Sequence, residues 1–123
     1  MNTEDFVTYE QALALKKLGF NYDCDYCYSE DKELYKYDYH TEYYNGSNND
    51  LPAPTLAQVQ KWLRKEKGIY IEPILIYDKF YTDCKSPSRG KYWAVEHRKY
   101  YLSYEDALSA GITECLKLLE KED

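Results

Sequence analysis

Glycine is scarce in this sequence, with only five residues in 123, and these five do not cluster. Phosphate-binding loops need closely spaced glycines because the backbone must approach the phosphate groups. A nucleophile elbow needs glycines on both sides of its serine. Neither pattern occurs, so the sequence does not predict a nucleotide-binding loop or an α/β-hydrolase site.

Histidine is scarcer still, since His40 and His97 are the only two. Neither lies at a recognisable motif spacing from a serine, cysteine or aspartate, and no HExxH zinc motif occurs. We therefore expect a protein that is not an enzyme, with no catalytic residues and no cofactor. A catalytic dyad assembled from distant residues is the less favoured alternative.

Long apolar runs are also missing. No segment approaches the roughly 20 apolar residues of a membrane span. The first ten residues, MNTEDFVTYE, lack the basic and apolar regions of a signal peptide. We therefore expect a cytoplasmic protein that does not enter the membrane, and four cysteines that remain reduced thiols.

Aliphatic residues are few, and tyrosine takes their place. Leu, Ile, Val and Phe account for 24 of 123 residues, a fraction that borders on that of disordered chains. The 16 tyrosines add large rings that can be buried if their hydroxyl groups find partners. We therefore expect one folded domain, 1–123, with a frayed tail at 120–123 and a long loop at about 44–54.

The negative charge is confined to one half of the chain. Residues 1–53 carry 11 acidic and 4 basic residues, whereas residues 54–123 carry 11 acidic and 12 basic residues. Within residues 22–50 there are 8 tyrosines, 8 acidic residues and 2 basic residues. This acidic, tyrosine-rich segment is the most unusual feature of the composition.

One phrase occurs twice, as FVTYEQALA and as YLSYEDALS. In both, a hydroxyl residue is followed three positions later by a side chain that can accept a hydrogen bond, which is the pattern of a helix N-cap. The same pattern occurs a third time. The three pairs are Thr8 and Gln11, Thr55 and Gln58, and Ser103 and Asp106. We interpret them as three helix starts rather than as duplicated domains, because the sequences diverge directly afterwards.

The apolar spacing predicts where these helices run. We expect helices at about 9–18, 56–67 and 104–119, the first two ending at Gly19 and Gly68. Their apolar positions recur at helical spacing. The buried stripes are predicted at Leu56, Val59, Trp62 and Leu63, and at Leu108, Ile112, Cys115, Leu116 and Leu119. Gly111 lies inside the last helix, where glycine is unfavourable, and close packing on a neighbour would be one reason to tolerate it.

Between the helices the period changes to two, which is typical of strands. NYDCDYCYSEDKELYKYDYHTEYY predicts a hairpin. YIEPILIYDKFY predicts one apolar strand, with Pro73 indicating an edge or a bulge. KYWAVEHRKYYLS predicts a last strand. The predicted fold class is α+β, with three helices packed on one face of an antiparallel sheet of about four strands.

This order of elements resembles a group of small proteins from phages and prophage-like elements of gut Bacteroidetes. The similarity lies mainly in PTLAQVQKWLRKEKGIYIEPILIYD and YLSYEDALSAGITECLKLL. The group has no assigned activity, so the resemblance implies no catalytic residue. It implies an accessory protein of a mobile element that acts on host machinery.

Cys24 and Cys27 form a CxxC pair, which could belong to a zinc site or a redox site. No second close pair of ligands exists. On a strand the two thiols would point to opposite faces. Neighbouring Asp23 and Asp25 would also raise the thiol pKa values. We therefore expect no metal, and we interpret the two residues as structural, one buried and one near the surface.

Basic residues are frequent in the second half and suggest an alternative function. They are Lys61, Arg64, Lys65, Lys67, Lys85, Arg89, Lys91, Arg98 and Lys99. Together with nearby aromatic rings they could bind nucleic acid. The sequence pI of about 5.0 opposes this, because phosphate groups repel an acidic protein.

The favoured hypothesis is a small, non-catalytic interaction protein that binds another protein or itself, as in a homo-oligomer. Tyrosine is enriched in protein interfaces. The partner surface is predicted on the acidic, tyrosine-rich hairpin. Its candidate residues are Tyr35, Tyr37, Tyr39 and Tyr43, with Asp38 and Glu42 as charged companions.

Overall fold

A computed structural model describes residues 3–36, 50–90 and 99–122 of the chain. It is an α+β structure that divides into two compact units, residues 1–55 and 56–123. None of the helices in these described ranges is long and apolar enough to cross a membrane.

The first unit contains helix α1, Tyr9–Lys17, and three short strands. The strands are β1 (Tyr26–Tyr28), β2 (Leu34–Lys36) and β3 (Leu51–Pro52), and β1 lies in the middle, antiparallel to both others. Leu51 and Pro52 therefore form a strand where the sequence predicted a loop over 44–54. The core of this unit contains Val7, Ala12, Leu15, Cys24, Cys27, Leu51 and Ala53.

The second unit contains α2 (Leu56–Trp62), which continues as a π-helical turn over Leu63–Lys67. The hairpin of β4 (Tyr70–Ile76) and β5 (Lys79–Lys85) follows, then a short 3-10 turn, Pro87–Arg89, and α3 (Tyr104–Glu122). Helix α3 thus extends three residues beyond its predicted end, into the tail that was expected to fray.

The predicted helix starts at Thr8 and Ser103 are confirmed. Thr8 Oγ1 accepts a hydrogen bond from the Gln11 backbone N–H at 3.1 Å, and Gln11 Oε1 accepts one from the Thr8 N–H at 2.8 Å. Ser103 Oγ accepts a hydrogen bond from the Asp106 N–H at 3.0 Å. Thr55 directly precedes α2, as a capping residue must.

The predicted ends of the first two helices and the apolar stripes are confirmed as well. Gly19 and Gly68 adopt φ values of 90° and 68°, in the left-handed region that favours glycine. All nine stripe residues of α2 and α3 predicted from the sequence are buried. The spacing of apolar residues was sufficient to predict these stripes, because an amphipathic helix must turn one apolar stripe towards the core.

The prediction of one sheet of about four strands, with the helices on one face, is wrong. The strands of the described residues form two antiparallel sheets, one of three strands and one of two. The segment YIEPILIYDKFY is not one strand, because it turns at Tyr77 and Asp78 and pairs with itself. Tyr77 makes this turn with φ of 57°, a conformation usually taken by Gly or Asn, so no typical turn signal marks it.

Within the described residues, β4 pairs only with β5, which places Pro73 on an edge strand as predicted. Gln60 of α2 donates a hydrogen bond from Nε2 to the Ile71 carbonyl oxygen at 2.7 Å. On the other side of β5, Phe80 and Tyr101 exchange two backbone hydrogen bonds of 2.8 and 2.7 Å. Tyr101 thereby lies beside β5, on the side opposite β4.

Candidate functional site

The tyrosines of β1 are used for packing within the first unit. The Tyr26 ring lies 4.7 Å from the Phe6 ring, centroid to centroid. Tyr28 donates a hydrogen bond to the Val7 carbonyl oxygen at 2.6 Å, and its ring meets Tyr9 edge-on. Burial, assisted by the Glu10 carboxylate, raises the pKa of Tyr28. Tyr26 and Tyr28 are both half-buried, so their rings pack beside the core of this unit without lying inside it.

Tyr35 is the one predicted partner-binding residue that the structure describes. It pairs with Cys27 across the β1–β2 ladder, and its hydroxyl donates a hydrogen bond to the Asp50 carboxylate. Tyr35 is half-buried, so part of its ring faces solvent. The other candidates, Tyr37, Asp38, Tyr39, Glu42 and Tyr43, lie outside the described residues.

The CxxC pair is buried at both positions, with Cys24 1% exposed and Cys27 fully buried. The expectation that one of them lies near the surface is therefore wrong. Burial, reinforced by Cys27, Asp23 and Asp25, raises the pKa of Cys24 to about 12. A thiol with so high a pKa is a poor nucleophile at neutral pH.

In the second unit, two basic residues of the nucleic-acid alternative have partners within the protein. Arg89 donates from Nε to Glu122 Oε2 at 2.7 Å and from a terminal nitrogen to the Lys67 carbonyl oxygen at 2.5 Å. Lys67 holds its ammonium group 5.4 Å from the centroid of the Trp62 ring. Both cations therefore have a structural role. Arg89 links the π-helical turn to the end of α3, and Lys67 packs on the last residue of α2.

A cavity of about 370 Å³ lies between α3 and the segment beside β5. Its described lining includes one basic and one acidic side chain, Lys99 and Glu114. It also includes Thr82, Tyr101 and Thr113. His40 and His97, the two candidates for a catalytic base, lie outside the described residues.

The second unit exposes apolar side chains at one end of its hairpin, and sequence reasoning did not find them. Leu75 is 60% exposed, Tyr77 95% and Leu102 81%. Ile76, Tyr100 and Tyr104 are also exposed. We call these six residues the hairpin-end patch.

The strand register places the backbone segments that carry these residues side by side. Phe80 pairs with Leu75 on one side and with Tyr101 on the other, so Leu75 and Tyr101 lie two strand spacings apart, roughly 10 Å. Tyr100 and Leu102 flank Tyr101, and Tyr77 makes the adjoining turn. The Phe80 ring meets the Tyr104 ring edge-on at 6.0 Å, which joins the start of α3 to the same region.

In the sequence, the residues of the hairpin-end patch could have been recognised by their position next to chain reversals. Leu75 and Ile76 directly precede the tight turn that Tyr77 makes, and Tyr100–Leu102 directly precede the Ser103 helix cap. Apolar residues at such positions are close to the end of a sheet, where a helix covers them poorly. This information became usable only once the hairpin was known.

No protein-family model, curated protein or solved structure matches this chain.

Proposed function

We propose that this protein is a non-catalytic interaction module that binds another protein chain, with a second copy of itself as the simplest partner. The single observation that supports this is the hairpin-end patch. Its six large apolar or aromatic side chains remain exposed while the core of the same unit is well buried. Clustered exposed apolar side chains of this kind mark protein-binding sites.

The chemistry of the patch suits a protein partner. Tyrosine and leucine supply apolar area, and Tyr77, Tyr100 and Tyr104 add hydroxyl groups for the rim of an interface. Asp78, Lys79 and Lys99 lie beside these residues in sequence and are exposed. Charges of both signs at the edge favour a partner that carries both, as a second copy of this chain does.

The acidic, tyrosine-rich segment remains a second proposed surface for the same function. Tyr35 supports it only in part, because its hydroxyl already binds Asp50. The two proposed surfaces can be tested separately, since they lie in different units of the chain. A role as an accessory protein of a mobile element, acting in the cytoplasm, belongs to the same proposal and has its support in the sequence resemblance.

The test compares three variants by analytical ultracentrifugation and by capture of host proteins. Tyr77→Asp and Leu102→Asp charge the hairpin-end patch, and Tyr37→Ala/Tyr39→Ala truncates the acidic segment. Lys121→Ala, an exposed change at the opposite end of α3 from Tyr104, is the control. We expect Tyr77→Asp and Leu102→Asp to weaken association at least tenfold while their melting temperatures stay near the native value. Unchanged association in all variants would contradict the proposal.

A further inference from the structure

Two buried thiols lie close together in the described part of the second unit. Cys84 is the sixth residue of β5, and Cys115 lies on the inner face of α3. Their sulfur atoms are 3.0 Å apart. Non-bonded carbon atoms attract each other best at about 3.5–4.0 Å, and sulfur is the larger atom. The two thiols therefore lie closer than ordinary core packing requires.

Contacts between the strand and the helix fix the short distance between the two thiols. Cys84 is opposite Ile71 in the β4–β5 ladder, and both face α3. Thr82, two residues away on the same face, donates a hydrogen bond from Oγ1 to the Ala107 carbonyl oxygen of α3 at 2.6 Å. Gly111, one helical turn before Cys115, lets the helix approach β5 closely. The strand and the helix are thus fixed at a separation that brings one thiol onto the other.

We propose that Cys84 and Cys115 are a covalent modification site, at which a disulfide forms when the protein meets a small-molecule disulfide or another thiol-oxidising disulfide. The bond would join β5 to α3 within the second unit. The two residues are 31 positions apart in the chain, so the bond closes a long loop. The inference is independent of the proposed partner surface.

The reaction balances as a pair of thiol–disulfide exchanges. The sulfur of one cysteine attacks the small disulfide, forms a mixed disulfide and releases one small thiolate. The sulfur of the second cysteine then attacks the protein-bound sulfur of this mixed disulfide. The Cys84–Cys115 bond forms and the second small thiolate leaves. The protein loses two hydrogen atoms, and the small disulfide is reduced to two thiols that carry the two protons.

The burial of both thiols limits the rate at which the disulfide forms. Cys84 is 3% exposed and Cys115 is fully buried, so a small disulfide reaches neither in the closed structure. The hydrogen bond with Cys84, burial and the Glu114 carboxylate raise the pKa of Cys115, and the Arg89 guanidinium only partly opposes them. Oxidation therefore needs a transient separation of α3 from β5, and the bond is shielded once α3 has returned.

The test treats the full chain with glutathione disulfide under native conditions, blocks the remaining thiols and maps the peptides by mass spectrometry. We expect a linked pair of peptides containing Cys84 and Cys115, with Cys24 and Cys27 recovered as blocked thiols. Wild-type protein suffices for this measurement, so it does not depend on a variant that folds poorly. Linkage of Cys24 to Cys27 alone, or mixed disulfides without the Cys84–Cys115 bond, would overturn the proposal.

A second measurement follows the consequence of the bond. Closing a loop of this length should raise the melting temperature of the oxidised protein by on the order of 10 °C. Dithiothreitol should reverse the rise. Cys115→Ala should abolish it, whereas Cys24→Ala, a matched change at another buried cysteine, should retain it. A rise that persists in Cys115→Ala, or no rise in the oxidised wild type, would contradict the assignment.

Discussion

Gly111 of α3 lies so close to β5 that a Cβ atom placed on it would come within 2.6 Å of Thr82 Cγ2. The same atom would lie 2.9 Å from Ile71 Cγ2 of β4. Thr82 cannot easily move, because it is β-branched and its hydroxyl is bonded to the Ala107 carbonyl oxygen. The glycine therefore sets the distance between the helix and the sheet.

We predict that Gly111→Ala destabilises the protein, although alanine favours helices. The gain in helix propensity is about 1 kcal/mol. Forcing a methyl group into a packed core costs roughly 1–3 kcal/mol, and here two rigid neighbours resist it. Urea unfolding should show a net loss on the order of 1 kcal/mol. Thr82→Ser removes the clashing methyl group but keeps the hydroxyl, so Gly111→Ala should cost less in that background; equal cost in both would contradict the packing argument.

The capping box of α1 gives a second prediction. Thr8→Ala removes the acceptor for the Gln11 N–H and leaves the reciprocal bond from Thr8 N–H to Gln11 without its geometric support. The free energy of unfolding should fall by about 1 kcal/mol. Lys16→Ala, an exposed change in the same helix, should alter it by less than about half as much. Equal effects of the two substitutions would show that the cap contributes nothing.

The buried thiol of Cys24 gives a third prediction, which concerns pH. Its pKa is raised from 9.0 to about 12 in the folded protein. Folding therefore favours the protonated thiol, so its full contribution is present below pH 9 and is lost as the pH rises towards about 12. In this window the wild type should lose up to about 1.4 kcal/mol per pH unit more than Cys24→Ser.

Denaturant titrations of both proteins at several pH values between 8 and about 11 measure this difference, and the titration of other groups cancels in the comparison. Cys24→Ser should be less stable at neutral pH because the side chain is buried and a hydroxyl group costs more to desolvate than a thiol. It should nevertheless approach the wild type as the pH rises. Parallel curves would show that Cys24 does not titrate in this range.

Arg89 supports a fourth prediction, because its contacts differ in kind. Besides an ion pair and a carbonyl contact, it donates a hydrogen bond to Ser86 Oγ at 3.0 Å. Its bond to Glu122 is a partly exposed ion pair, and its bond to the Lys67 carbonyl oxygen satisfies the end of the π-helical turn. Exposed ion pairs contribute roughly 0–1 kcal/mol. Removing the only described side-chain donor to a half-buried carbonyl costs about 1–3 kcal/mol.

We therefore expect Arg89→Ala to lower the unfolding free energy clearly more than Glu122→Gln, which leaves the Lys67 contact in place. The effect of Glu122→Gln should shrink at high salt, and most of the Arg89→Ala effect should remain. Equal losses for the two variants would show that the ion pair, rather than the carbonyl contact, is the stabilising interaction.

Local sequence was sufficient to predict the three helices and the ends of the first two. The hydroxyl side chains of Thr8 and Ser103 cap helices because the partner N–H lies three residues away, within reach along the chain itself. Gly19 and Gly68 end helices because a left-handed residue is needed there. The buried stripes of α2 and α3 follow from the helical repeat, whatever lies opposite them.

The tertiary structure decided what depends on residues far apart in sequence. The turn at Tyr77 uses a residue without the usual preference for positive φ, so the pairing of β4 with β5 selected it. The bridge from Phe80 to Tyr101 joins another distant segment to β5. The packing of α3 on β5 brings Cys84 within 3.0 Å of Cys115. The period of the apolar residues indicates which face of a helix or strand is buried. Which element packs against that face depends on tertiary packing. The proposed surface and the thiol pair both arise at that level.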